Sequence, residues 1–258
     1  MNHPQGKRER REGGLPGLRG GPKDEIGGYS TENRSRQTLN LQIPADGVIL
    51  QGDLNIPDPL RGIVLFAHGS GSSRHSPRNQ YVARVLQGAG IATLLFDLLT
   101  GDEESLDQET GYLRFDINLL AKRLRDTTTW IVQLPQIKDV KLGYFGASTG
   151  AAAALVAASG AVKEAAAVVS RGGRPDLAGR TLDEVQAPTL LIVGGEDRTV
   201  LELNRKALAQ LPGEKRLEIV PGATHLFEEP GALEEAARLA RQWFERHLGR
   251  RKNETQAA

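Results

Sequence analysis

The chain has 258 residues, 33 basic against 32 acidic side chains for a formal net charge of +1, and no cysteine. That balance supplies no field for nucleic acid or a membrane surface, and the missing thiols exclude disulfides, thiolate metal sites and a cysteine nucleophile together. No apolar run is long enough to span a bilayer and the N-terminus lacks a signal-peptide core, so the expectation is one large soluble domain in the cytoplasm.

From Met1 to about Arg36 the chain is glycine-rich and charged, with KRERREGG and LPGLRGGPKDE. Such a segment cannot bury enough apolar surface to offset its ordering entropy, so residues 1–36 are expected to form a disordered tail. Glu9 and Glu12, interleaved with the basic cluster, favour a solvated tail over contact with a polyanion. Residues 250–258 read as a second tail, which leaves a folded domain at 37–249.

Within that domain Thr38–Ile43 and Val48–Ile56 flank Ala45-Asp46-Gly47 and predict an antiparallel hairpin. Then come GIVLFAH, IATLLFD, KLGYFGA, AAAVVS, TLLIVG and RLEIVP, each a short and nearly continuous apolar run. Runs of that kind suit strands buried on both faces of a parallel sheet. Helical spacing lies between them. Ile117, Leu120, Leu124 and Ile131 share one face, and Leu233, Ala236, Ala240, Trp243 and His247 share another. The alternation predicts an α/β fold with helices on both faces of a mostly parallel sheet. The segment Leu98–Arg114 is too long and polar for a simple turn and reads as a small lid or an acidic solvated loop.

The stretch GYFGASTG sets Ser148 between Gly146 and Gly150, directly after a predicted strand and before the alanine-rich helix that begins at Thr149. With 30 glycines in the chain the motif alone is weak, and its context decides. A sharp strand-to-helix turn forces a strained serine, tolerable only with small neighbours, and projects its hydroxyl past the strand end. A hydroxyl needs an oriented base. His225 in PGATHLF and Asp197 in GGEDRTV both follow predicted strands, in the order Ser, Asp, His that a nucleophile elbow requires. Glu196 stands beside Asp197 as an alternative by position. The loop GSGSS after the first core strand is a candidate oxyanion hole, with donors from the Thr149 amide and from Gly69 or Ser70. A phosphate-cradling loop is the alternative there, without the lysine of a P-loop. His68 is expected to be structural.

Arg74, His75 and Arg78 after that loop, and Arg171 and Arg174 after AAAVVS, are candidate substrate-binding residues. Guanidinium groups grip carboxylates and phosphates, which points to an anionic substrate. The alternative is pairing with Asp102, Glu103 and Glu104, or plain solvation.

On FAHGSGSS, GYFGASTG, LLIVGGEDRTV and GATHLFEEPGAL the sequence resembles the α/β-hydrolase superfamily and, within it, the dienelactone-hydrolase-like family, from Thr38 to Leu248. It departs from dienelactone hydrolase itself in carrying serine where that enzyme uses cysteine. The resemblance implies hydrolysis of a small ester or lactone through an acyl-enzyme, with Ser148, Asp197 and His225 as triad and no cofactor or metal. It implies a small-molecule partner and neither nucleic acid nor membrane. A thioesterase, an acyltransferase or a non-catalytic binding module of the same fold are the alternatives. FAHGSGSSRHSPRN and VVSRGGRPDL also look like a bacterial subgroup with members joined to phosphoribosyltransferase domains. At this length such a link is expected to be to a separate protein. No motif speaks to an oligomeric state.

Overall fold

The computed structural model describes residues 37–160 and 165–248; both predicted tails lie outside the described residues. Two antiparallel strands, β1 (Gln37–Ala45) and β2 (Val48–Ile56), open the fold. Asp46 and Gly47 join them with φ of 50° and 76°, the left-handed pair whose twist matches that of the flanking strands. Six short strands follow: β3 (Gly62–Ala67), β4 (Ile91–Phe96), β5 (Leu142–Ala147), β6 (Ala165–Arg171), β7 (Thr189–Gly194) and β8 (Lys215–Val220). The helices are α1 (Pro77–Gly88), α2 (Gly101–Thr110), α3 (Ile117–Ile131), α4 (Thr149–Ala157), α5 (Arg198–Gln210) and α6 (Ala232–His247).

The sheet order is β1-β2-β4-β3-β5-β6-β7-β8, with β1–β2 and β2–β4 antiparallel and the other pairs parallel. The continuous apolar strands β3, β4, β5 and β7 are buried along their whole length, whereas the edge strand β8 is fully buried only at Val220. In β3, Ile63, Leu65 and Ala67 pack into the core beneath α3 and α4, while Val64 and Phe66 join the core beneath α1 and α6. This is the α/β-hydrolase architecture the sequence predicts. From β3 the chain steps outward to β4, then returns to place β5 on the other side of β3. The carboxyl ends of β3 and β5 therefore flank a crevice, where ligands of open α/β sheets bind.

The segment Leu98–Arg114 is not the acidic solvated loop of the second expectation. It folds as α2, opened by a capping box in which Thr100 Oγ1 accepts from the Glu103 amide and Glu103 Oε2 accepts from the Thr100 amide. Arg123, 2% exposed, donates to both Glu103 oxygens, and Arg114 donates through Nε to the buried Asp107 carboxylate. These bonds hold α2 as a fixed wall. Of its acidic residues Glu103 pairs with Arg123 of α3 and Asp107 with Arg114 just past the helix.

Candidate active site

Ser148 follows the last residue of β5 with φ 51° and ψ −122°, a region that a residue bearing a Cβ rarely adopts. Close packing keeps it there. A Cβ on Gly146 would lie 2.4 Å from Ala151 Cα, and one on Gly150 would lie 2.1 Å from the Ala67 carbonyl oxygen. Both glycines of the motif are needed because α4 is pressed onto β3 and β5. The Ser148 amide donates to Arg171 O at 3.2 Å, and Ser148 O accepts from the Arg174 amide at 3.1 Å, so the tip of β6 clamps the turn.

A serine at a helix N-cap ordinarily spends its hydroxyl on a first-turn amide. Ser148 occupies the N-cap of α4 and its side chain makes no such bond. No hydrogen bond joins it to the His225 ring, yet both residues line one cavity of about 220 Å³.

His225 sits in the turn between β8 and α6. Its Nδ1 meets Asp197 Oδ2 at 2.6 Å, and the ring rests against the backbone of Gly172, where a Cβ would approach Nδ1 to 3.6 Å. Thr224 donates from its amide and hydroxyl to Glu229 at 3.0 and 2.6 Å, closing the turn that carries the imidazole. Those bonds lower the Glu229 pKa. Of the two neighbouring acids, Glu196 is turned outward toward Arg198 at 3.9 Å, and Asp197 alone reaches the ring.

Around the β3 loop the picture differs in part from the expectation. Gly69 backs directly onto the serine, where a Cβ would come within 3.0 Å of Ser148 Cβ. The Thr149 amide opens α4 and has no acceptor within its helix, as for any first-turn amide. The Ser70 amide, however, already donates to Thr149 Oγ1 at 2.9 Å. The sequence shows a threonine there but not that its buried hydroxyl would reach across to β3. His68 is structural as expected: Nδ1 donates to Gly69 O and Nε2 accepts from the Leu98 amide, each at 3.0 Å. Burial pushes its pKa down, outweighing the backbone bond and nearby carboxylates that push it up.

The five candidate substrate-binding residues divide. Arg78 and Arg171 line the cavity of Ser148. Arg74 and His75 do not; they face a separate groove over β1 and β2, with Arg74 held by Asp97 and, at 3.5 Å, by Asp53. Arg174 turns away to a bidentate bond with Asp176 at 2.8 and 2.7 Å. Its backbone, not its guanidinium, serves the serine turn.

A model of the dienelactone hydrolase family matches residues 50–248. The chain belongs to that family. It is 58% identical to the dienelactone hydrolase of Anabaena variabilis, whose crystal structure superposes with a TM-score of 0.81 over 83% of this chain and 99% of that one. It is 60% identical over 208 residues to two Mycobacterium tuberculosis proteins that carry the provisional name phosphoribosyl transferase. The match covers 81% of this chain and 46% of theirs, so the chain spans just under half the length of these curated relatives. Est1E of Butyrivibrio proteoclasticus, 16% identical with a TM-score of 0.67, shares the fold over 81% of this chain and 98% of its own. Among the described residues no helix is long and apolar enough to cross a membrane.

Proposed function

We propose that this family member is a serine hydrolase that cleaves a small carboxylic ester or lactone through an acyl-enzyme. The observation that supports this most is the Ser148 hydroxyl, held at a strained N-cap yet bonded to no helix amide, in one cavity with an imidazole whose far nitrogen is fixed by Asp197. His225 accepts the Ser148 proton at Nε2 as Oγ attacks the carbonyl carbon. The carbonyl oxygen becomes an oxyanion, met first by the Thr149 amide. The Ser70 amide becomes the second donor when the Thr149 hydroxyl turns away from it. One such donor is typically worth about 3 kcal/mol in the transition state. Collapse breaks the carbon–oxygen bond to the alcohol, which takes the proton from His225. Water then repeats the sequence and frees the acid. Asp197 holds the tautomer with the proton on Nδ1 and balances the imidazolium.

The name of the M. tuberculosis relatives describes proteins more than twice as long as the matched segment, and that segment is the hydrolase-family region. A fluorophosphonate probe should label the protein, with labelling and turnover of p-nitrophenyl acetate lost together in Ser148→Ala. Retention of both in that variant sinks the reading.

A further inference from the structure

Arg171 is the last residue of β6 and is 7% exposed. Its Nε and Nη1 are fully buried with no hydrogen-bond partner, and no carboxylate pairs with it among the described residues. Its one aromatic contact is the Phe227 ring, 5.8 Å from the guanidinium carbon. Burial and the neighbouring Arg78 charge push its pKa down to about 10, so it stays charged at neutral pH. A buried, unpaired charge is among the costliest groups a fold can carry. Among the described residues only the Phe227 ring meets it.

The same cavity wall holds the first turn of α1. Ser76 caps that helix, accepting from the Asn79 amide at 3.4 Å, and Ser72, Ser76, Arg78 and Asn79 all line the cavity with Arg171 and Ser148. Arg78 Nε is buried without a partner, while its Nη1 meets Glu228 at 3.2 Å at the exposed rim. The wall therefore gathers two guanidinium groups, serine hydroxyls and, at the start of a twelve-residue helix, the Arg78 amide, since Pro77 has no N–H and the Asn79 amide donates to Ser76, against one rim carboxylate. Helix N-termini of this kind bind anions.

We propose that the N-terminus of α1, with Arg171 and Arg78, forms a subsite for a phosphate group carried by the substrate. Its placement beside the reacting carbonyl rests on the serine-hydrolase reading; the subsite itself does not. A phosphate is favoured over a carboxylate on two counts. Its tetrahedral oxygens accept in several directions, which suits donors arriving from two side chains and a helix end, whereas a carboxylate offers one planar fork. Its charge of about −1.5 to −2 at pH 7 draws more from the unpaired Arg171, and from Arg78 beside Glu228, than a single negative charge does. The small cavity, about 220 Å³, suits a short phosphorylated ester.

The test is titration of the full chain with inorganic phosphate at fixed ionic strength, read by calorimetry and by Tm. Saturable binding is expected in wild type and equally in Ser148→Ala, which needs no turnover. Arg171→Met should weaken it at least tenfold and, with the buried charge gone, should have a higher Tm than wild type when phosphate is absent. Should that variant not fold, Arg78→Met replaces it with the same expected loss. The exposed Arg180→Met should titrate like wild type. No saturable binding, or equal binding in Arg171→Met or its substitute, overturns the subsite, and so does acetate binding more tightly than phosphate. Phosphate binding that persists while Ser148→Ala keeps full turnover overturns the hydrolase reading alone.

Discussion

Two concavities on this molecule differ in an instructive way. The larger, about 710 Å³, lies over β1 and β2 and is lined by the amides of Asn40, Gln51, Asn55 and Gln80 and the hydroxyl of Thr38. Of its cations, Arg74 is matched by Asp97 and Asp53, and Arg84 is exposed to solvent. The smaller, about 220 Å³, concentrates the costs of the fold: a left-handed serine, an N-cap hydroxyl without its usual bond, and an arginine without a counter-charge. Volume measures where water fits. Unmet bonding capacity, held in place by rigid neighbours, is the better mark of where chemistry is expected.

That contrast can be broken most forcefully at the serine. Ser148→Ala should cut kcat for short p-nitrophenyl esters by about 10⁶-fold. The paired change Asn40→Ala with Gln51→Ala, in the larger groove, should leave kcat/KM within about twofold. Comparable losses at both places would dissolve the distinction. Asp197→Asn should lower kcat by roughly 10⁴-fold at nearly unchanged KM, because the wrong imidazole tautomer is favoured. A loss confined to KM would remove Asp197 from the reaction.

The strain itself can be tested by stability. Gly150→Ala forces a methyl group onto the Ala67 and His68 carbonyls and should destabilise by about 3 kcal/mol or more in urea unfolding. Gly111→Ala, at φ 65° with open space around it, should cost only ~1 kcal/mol. Equal costs would mean that close packing does not hold the serine turn.

The smallest effect is the acid response of the β3 loop. His68 has a folded pKa below the ordinary 6.5, so the unfolded chain binds its proton first as pH falls. Its contribution is fully present above about 6.5 and is lost below it. Glu103, held near 2 by Arg123, and the other bonded carboxylates lose theirs only below about 4.5. His68→Asn should therefore flatten the stability profile between pH 6.5 and 5 and leave the steeper fall below 4.5. His247, also shifted down by burial but less enclosed, should contribute a smaller part of the same slope.

Much of this was legible in the amino-acid order because strands buried on both faces and a glycine-framed serine impose local demands. Gly146 and Gly150 can be read as close-packing residues before any coordinates exist. Asp197 against Glu196 could not be separated, since adjacent residues after a strand differ only in which way the turn points them. The arginines show the same limit. Arg171 ends β6 and Arg174 follows three residues later, yet Arg174 closes on Asp176 while Arg171 is buried without a partner for its Nε and Nη1. Partner choice among charged side chains depends on neighbours brought in from far along the chain. The helix α2 was missed for a related reason: its apolar face is weak, and its support comes from Arg114 and Arg123, which lie beyond it in sequence.

The bond from the Ser148 amide to the Arg171 carbonyl makes the Ser148 hydroxyl and the buried guanidinium neighbours on a single stretch of paired backbone. Neither can shift along the sheet without the other. The pair then behaves as a gauge of fixed span, and a homologous series of phosphorylated esters, lengthened one methylene at a time, should show a narrow optimum in turnover.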